Sequence, residues 1–147
     1  MSDEVIAIAS DHGGFDFKEL LKTELEQMGY AILDLGCHDS ASVNYPDYAD
    51  KMAAALLNKS TERGVLICGS GIGISIAANR HKHVRAALVH DGLTAKLCRE
   101  HNDANVLVLG GRTTGVEVAK DCLKIFLDTK FEGGRHQNRI DKIPLSC

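Results

Sequence analysis

The stretch Val65-Leu-Ile-Cys68-Gly-Ser-Gly-Ile-Gly73 decides the fold. Its first four residues read as a short buried strand, and glycines at three alternate positions then turn the chain. The residues from Ile74 to Asn79 continue as a helix. A strand that passes through a glycine turn into a helix is the repeating unit of a parallel sheet covered by helices.

The rest of the chain repeats this unit. Val5-Ile-Ala-Ile-Ala-Ser10 reads as the first strand and ends in the turn Asp11-His-Gly-Gly14. Phe15 to Met28 then places Phe17, Leu20, Leu21, Leu25 and Met28 at helical spacing, and Gly29 stops the helix. Tyr30 to Leu35 is the second strand, followed by a polar loop to Asn44 and a helix from near Pro46 to about Leu57. Past the central stretch come a strand from Arg85 to Val89 and a helix from about Gly92 to Arg99. A strand from Asn105 to Leu109 and a helix from Val116 to Leu127 follow. The expected fold is α/β, a three-layer α/β/α sandwich on a five-stranded, parallel, Rossmann-like sheet, forming one domain over residues 1–147. The basic segment of about 131–147 is expected to be partly helical and to pack on a partner subunit.

Composition narrows the function. The 147 residues are 44% hydrophobic and 25% charged, with a net charge of -3. That balance leaves no electrostatic footprint for nucleic acid or an anionic membrane surface. No apolar run approaches the ~20 residues of a membrane span, and no signal peptide is expected. The five cysteines (Cys37, Cys68, Cys98, Cys122 and Cys147) are odd in number and scattered, which fits reduced thiols and a cytoplasmic protein.

In open parallel sheets, ligands bind beyond the carboxyl ends of the strands. The loops there hold Asp11-His12, Gly69 to Gly73, His90-Asp91 and Gly110-Gly-Arg112. The loop Gly69, Ser70, Gly71, Ile72, Gly73 lets backbone N–H groups approach an anion closely. The same partial positive charge favours the thiolate of Cys68. A thiolate there could take a proton from a carbon beside a carbonyl, while the loop holds the resulting enediolate oxygen. An equally economical reading makes Cys68 a small buried hydrophobe and the glycines a tight turn; the residues alone leave both open. The G-x-G-x-G spacing after the third strand is not a dinucleotide fingerprint, and there is no Walker A motif.

Arg135 and Arg139 are four residues apart, on one face if that segment is helical, and Arg112 follows two glycines. Converging guanidinium groups suit a phosphate dianion, although each arginine taken alone reads as a surface group. His101 lies where a helix gives way to the fifth strand and could shuttle a proton at neutral pH. Asp11 reads either as an N-cap or as a ligand for sugar hydroxyls. His81 and His83 flank Lys82 but lack a third ligand at convincing spacing, so no metal site is expected.

Together, Ser10-Asp-His-Gly-Gly14, Asn44-Tyr-Pro-Asp47, Cys68 to Asn79, Glu100-His-Asn-Asp103 and Gly133-Gly-Arg-His136 resemble the ribose-5-phosphate isomerase B family. That family also includes allose-6-phosphate isomerases and the subunits of galactose-6-phosphate isomerase. The matching pieces run through nearly the whole chain in order. The resemblance implies an aldose–ketose isomerase of pentose phosphate metabolism that needs neither metal nor cofactor. Cys68 would be the base moving a proton between C1 and C2, with Ser70 where the family often has threonine. Gly69 to Gly73 would bind the enediolate. His101 would open the sugar ring, helped by Asp11, with Asn102 beside it on the substrate. His12, Arg112, Arg135 and Arg139 would hold the phosphate. The resemblance further implies a homodimer or homotetramer with sites between subunits. One branch of the family carries a glutamate base elsewhere on the loop, where this chain has Ile74 and Ser75; the cysteine branch fits better. A six-carbon aldose 6-phosphate is the alternative substrate, and a non-catalytic sugar-phosphate-binding module is the alternative of another class.

Overall fold

Alternation of apolar side chains along each strand divides the core into two layers, as a sheet with both faces covered requires. Ile6, Ile8, Val65, Ile67, Leu107 and Leu109 face one side, where they pack with Phe17, Leu21, Leu25, Leu123 and Phe126. Ala7, Ala9, Leu66, Cys68, Val106 and Val108 face the other, against Ala49, Met52, Ala53, Ile74 and Ala78. Cys68 thus ends its strand pointing into the second layer. Each fully buried Leu or Ile stabilises the fold by about 1.5–3 kcal/mol.

The computed structural model describes residues 3–144. Their elements in chain order are β1 (Val5–Ser10), α1 (Phe15–Gln27), β2 (Ala31–Asp34), α2 (Tyr45–Leu57), β3 (Arg63–Cys68) and α3 (Ile72–Asn79). Then come β4 (Ala86–Leu88), α4 (Gly92–Glu100), β5 (Val106–Gly110), α5 (Val116–Asp128) and α6 (Arg135–Ile140). All strand pairs are parallel, in the order β2-β1-β3-β5-β4. The sandwich read from the sequence is therefore present, with α1, α4 and α5 on one face and α2 and α3 on the other. Boundaries differ by one or two residues. Residues 145–147 of the basic C-terminal segment, including Cys147, lie outside the described residues.

Two consequences of this topology place the site. After β1 the chain moves outward to β2, and after β3 it moves to the opposite edge. The loops leaving β1 and β3 therefore diverge, opening a crevice at the carboxyl end of the sheet. Second, each helix returns the chain to the amino edge before the next strand begins. Cys68 ends β3 at the carboxyl edge, whereas His101 and Asn102 follow α4 and precede β5 at the amino edge. With β3 six residues long and β5 five, the two edges stand on the order of 15–20 Å apart at ~3.3 Å per residue.

Candidate active site

The carboxyl-edge crevice is built from three loops that touch through their backbones. The Gly111 amide donates to the Cys68 carbonyl at 2.9 Å, and the Arg112 amide to the Gly69 carbonyl at 2.8 Å. A Cβ placed on Gly13 would lie 3.4 Å from the Gly69 amide nitrogen. Asp11, Cys68, Gly69 and Arg112, all named from the sequence, therefore lie together, with Gly13 beside them. Cys68 is only 5% exposed. Its Sγ accepts the Gly71 amide at 3.2 Å, and the Ser70 hydroxyl oxygen accepts the Ile72 amide at 3.2 Å. The loop thus turns one backbone donor, the Gly71 amide, onto the sulfur. Gly71 caps α3 at φ +79°, a conformation that disfavours any side chain.

Asp11 takes the N-cap role weighed for it. It is buried at the crevice, and its Oδ1 caps the short 3₁₀ turn His12–Gly14 by accepting the Gly14 amide at 3.2 Å. His12 is tied to the loop before α2, because the Val43 amide donates to its Nδ1 at 3.1 Å. That bond puts the neutral ring's proton on Nε2, leaving a donor available to a ligand. The Arg112 side chain runs over the glycine loop, with its Cδ, Nε and Nη1 3.6–3.7 Å from where a Gly69 Cβ would sit.

Tyr45, which the sequence analysis quotes without assigning it a role, lies against the glycine loop. Its ring lies against Gly73, where an added Cβ would come within 2.6 Å of Cζ and 2.9 Å of the hydroxyl oxygen. The tyrosine covers one side of the glycine loop, and a side chain at position 73 would make its ring shift. The signal was in the Asn44-Tyr-Pro-Asp47 motif, but no spacing rule links Tyr45 to Gly73.

The other expected residues gather at the amino edge. His101 caps the end of α4, donating its amide to the Leu97 carbonyl at 2.9 Å. Its ring stacks on that of His136 with centroids 4.4 Å apart and planes 15° apart. Glu132 Oε1 lies 3.7 Å from His101 Nε2 and 3.8 Å from His136 Nε2. Burial, reinforced by the His101, Arg135 and Arg139 charges, holds the His136 pKa below its usual value. Arg135 and Arg139 share α6 with His136. Within one chain, Arg112 belongs to the Cys68 end and the other two arginines to the His101 end.

His101, Glu132 and His136 bring three donor atoms within 4.8 Å of one another. A metal must lie near the plane of each imidazole it binds, at about 2.1 Å from nitrogen. Two nearly parallel, stacked rings share no such point, so this arrangement is not a ligand set. His81 instead meets Asp50 at 2.8 Å, and His83 faces the Ala53 carbonyl at 2.7 Å. Burial pushes the Cys98 and Cys122 thiols up to about 11, which leaves them inert at neutral pH.

Both the sequence and the fold match known proteins. Residues 6–143 match the family model described as Ribose/Galactose Isomerase. The chain is 41% identical over 138 residues to ribose-5-phosphate isomerase B of Escherichia coli K12, covering 94% of this chain and 93% of that one. It superposes on the crystal structure of a Thermotoga maritima ribose 5-phosphate isomerase with a TM-score of 0.95 at 47% identity, covering 97% and 99% of the two chains. Type B ribose 5-phosphate isomerase of Trypanosoma brucei gives a TM-score of 0.93 at 41% identity, covering 97% of each chain. A five-stranded sheet in this order, a cysteine at the head of the switch-point loop and matches along almost the whole length carry one conclusion: the chain belongs to the ribose/galactose isomerase family.

Proposed function

We propose that the protein interconverts ribose 5-phosphate and ribulose 5-phosphate through an enediolate, with Cys68 as the base. The observation that carries this reading is the Gly71 amide on the Cys68 sulfur inside the switch-point crevice. A module that only bound a sugar phosphate would need the glycines and arginines but no thiol that accepts a loop amide. The names of relatives matched along most of their length support the same activity.

In this mechanism the Cys68 thiolate takes the proton from C2 of the open-chain aldose. Negative charge moves onto the C1 oxygen, where amides of the Gly69–Gly73 loop stabilise it. The C2 hydroxyl proton passes to the C1 oxygen, and the proton held by Cys68 is delivered to C1 as the C2 carbonyl forms. Asp11 contacts sugar oxygens at the mouth of the crevice, and the Nε2–H of His12 is left for the phosphate. His101 opens the furanose before the proton moves.

The substrate must meet Cys68 and His101, which stand at opposite edges of one sheet, farther apart than a five-carbon chain can bridge. We therefore place the carboxyl edge of one chain against the amino edge of another in a symmetric dimer. Arg135 and Arg139 of the facing chain then hold the phosphate, with His12 and Arg112. Among the described residues no helix is long and apolar enough to cross a membrane. The direct test is turnover of purified five- and six-carbon aldose phosphates by the same preparation. Preference for ribose 5-phosphate supports the assignment, and preference for a hexose 6-phosphate moves it to the longer substrate.

A further inference from the structure

We propose that Glu132 and His136 are positioning residues that hold the His101 imidazole in the orientation ring opening requires. This rests on the assignment of His101 given above, and it adds two residues to which the isomerase reading gives no role.

The geometry has three parts. Glu132 is pinned to the end of α4, because its amide donates to the Glu100 carbonyl at 3.1 Å. The loop before α6 is thereby fixed next to His101. His136 is 8% exposed and presents its ring face to His101 at 4.4 Å, which restricts rotation about the His101 side chain. Finally, one carboxylate oxygen faces the Nε2 atoms of both rings at nearly equal distances. Those distances exceed a hydrogen bond, so the carboxylate stands slightly off both rings and a small rotation closes the gap, as binding commonly does.

Burial, with the nearby Arg135 and Arg139, lowers the His136 pKa, and the ring presents a flat platform beneath His101. The Glu132 carboxylate is left to orient whichever N–H His101 turns toward it, so the other ring nitrogen faces the sugar. Orientation of this kind fixes the tautomer of a working histidine.

The step served is balanced within the sugar. The anomeric hydroxyl loses its proton and becomes the C1 carbonyl. The bond between C1 and the ring oxygen breaks, its electron pair stays on that oxygen, and a proton returns there to make the C4 hydroxyl. One imidazole with a fixed orientation can take the first proton and supply the second; nothing is oxidised or reduced. Because Glu132, His136, Arg135 and Arg139 all lie within nine residues of chain, the same segment would set the phosphate grip and the ring-opening group in register.

The test separates ring opening from proton transfer at carbon. Isomerisation of ribose 5-phosphate, which is mostly cyclic, requires both. Exchange of the C1 proton of ribulose 5-phosphate with solvent deuterium requires only the base and the glycine loop, because that ketose cannot close a furanose ring through its phosphorylated C5 oxygen. Glu132→Gln should lower kcat for ribose 5-phosphate by about tenfold through misplacement, with KM and deuterium exchange within twofold of wild type. His136→Phe, which keeps a flat ring, should retain more isomerisation than His136→Ala. Equal losses in isomerisation and exchange would reduce both residues to structural supports and overturn the proposal, as would unchanged kcat in Glu132→Gln. Failure of the isomerase assignment itself would appear separately, as a wild-type protein with neither activity.

Discussion

The Gly71 amide donates to the Cys68 sulfur at 3.2 Å from a left-handed backbone conformation at φ +79°. The bond gains strength once the sulfur is negative, because hydrogen bonds to ionised acceptors are roughly twice as strong as neutral ones. A Cβ at Gly71 would come within 2.5 Å of the Leu88 side chain and 3.1 Å of the Leu109 carbonyl. Gly71→Ala should therefore displace the amide and cost on the order of a hundredfold in kcat, the scale of losing one preorganised donor. Unchanged kcat in a folded Gly71→Ala protein would mean that this amide does not serve the reaction.

Cys68→Ala should keep the fold and lose about a hundredfold or more in turnover, as removal of a general base does. The same assignment predicts the order of alkylation. Cys68 should react first, and substrate should slow it. Cys98 and Cys122, whose thiols burial pushes up to about 11, should stay unmodified in the native protein. Mass spectrometry of partially alkylated, partially inactivated enzyme checks both points; inactivation that tracks another cysteine would remove Cys68 from the mechanism.

Away from the site, the Lys18 side chain is fully buried and bonds both Asp34 oxygens, at 2.8 and 2.7 Å. Burial alone would raise the Asp34 pKa, but bonds from Lys18, Lys22 and the Gly36 amide outweigh it and hold the carboxyl at about 2 rather than 3.8. A depressed carboxyl pKa contributes stability that is present above pH ~4 and lost as pH falls toward 2. The contribution is about 2 kcal/mol. Asp34→Asn leaves Lys18 buried without its counter-charge and should destabilise the protein by on the order of 3 kcal/mol at neutral pH. Urea unfolding at several pH values should show the gap between wild type and D34N narrowing from pH 4 to pH 2. A constant gap would deny the ion pair this role.

The layers of this fold were legible because strands buried on both faces leave continuous apolar runs, as in Val65 to Cys68, and because helices such as Phe15–Gln27 keep their period. Strand order was not legible, since it depends on which edges pair, and Val5 to Ser10 reads alike at a centre or an edge. The Cys68 half of the site could be read because Gly69, Gly71 and Gly73 announce a special backbone. Tyr45 against Gly73, and Glu132 and His136 around His101, could not. Each is a contact between segments that no local period or spacing encodes. Only the direction of the strands reveals that Cys68 and His101 belong to opposite edges.

Arg135→Ala and Arg139→Ala should each raise KM for the phosphorylated sugar about tenfold to a hundredfold, matching ~1.5–3 kcal/mol for a hydrogen bond to a charged group. Lysine at either position should recover only part of the loss, because the forked geometry is gone. Inhibition by inorganic phosphate should weaken in parallel. An arginine whose loss changes neither KM nor phosphate inhibition lies outside the phosphate site.

The account turns on one site built from two chains, and subunit mixing tests that most directly. Cys68→Ala subunits and Arg135→Ala subunits, each of low activity alone at substrate well below the wild-type KM, are unfolded and refolded together, and hybrid formation is verified by native mass spectrometry. If Cys68 and Arg135 of a site come from different chains, each hybrid dimer holds one intact site and one doubly broken site. Random pairing should then restore about a quarter of wild-type activity. No recovery in a mixture that demonstrably contains hybrids would put both residues on the same chain and contradict the shared site.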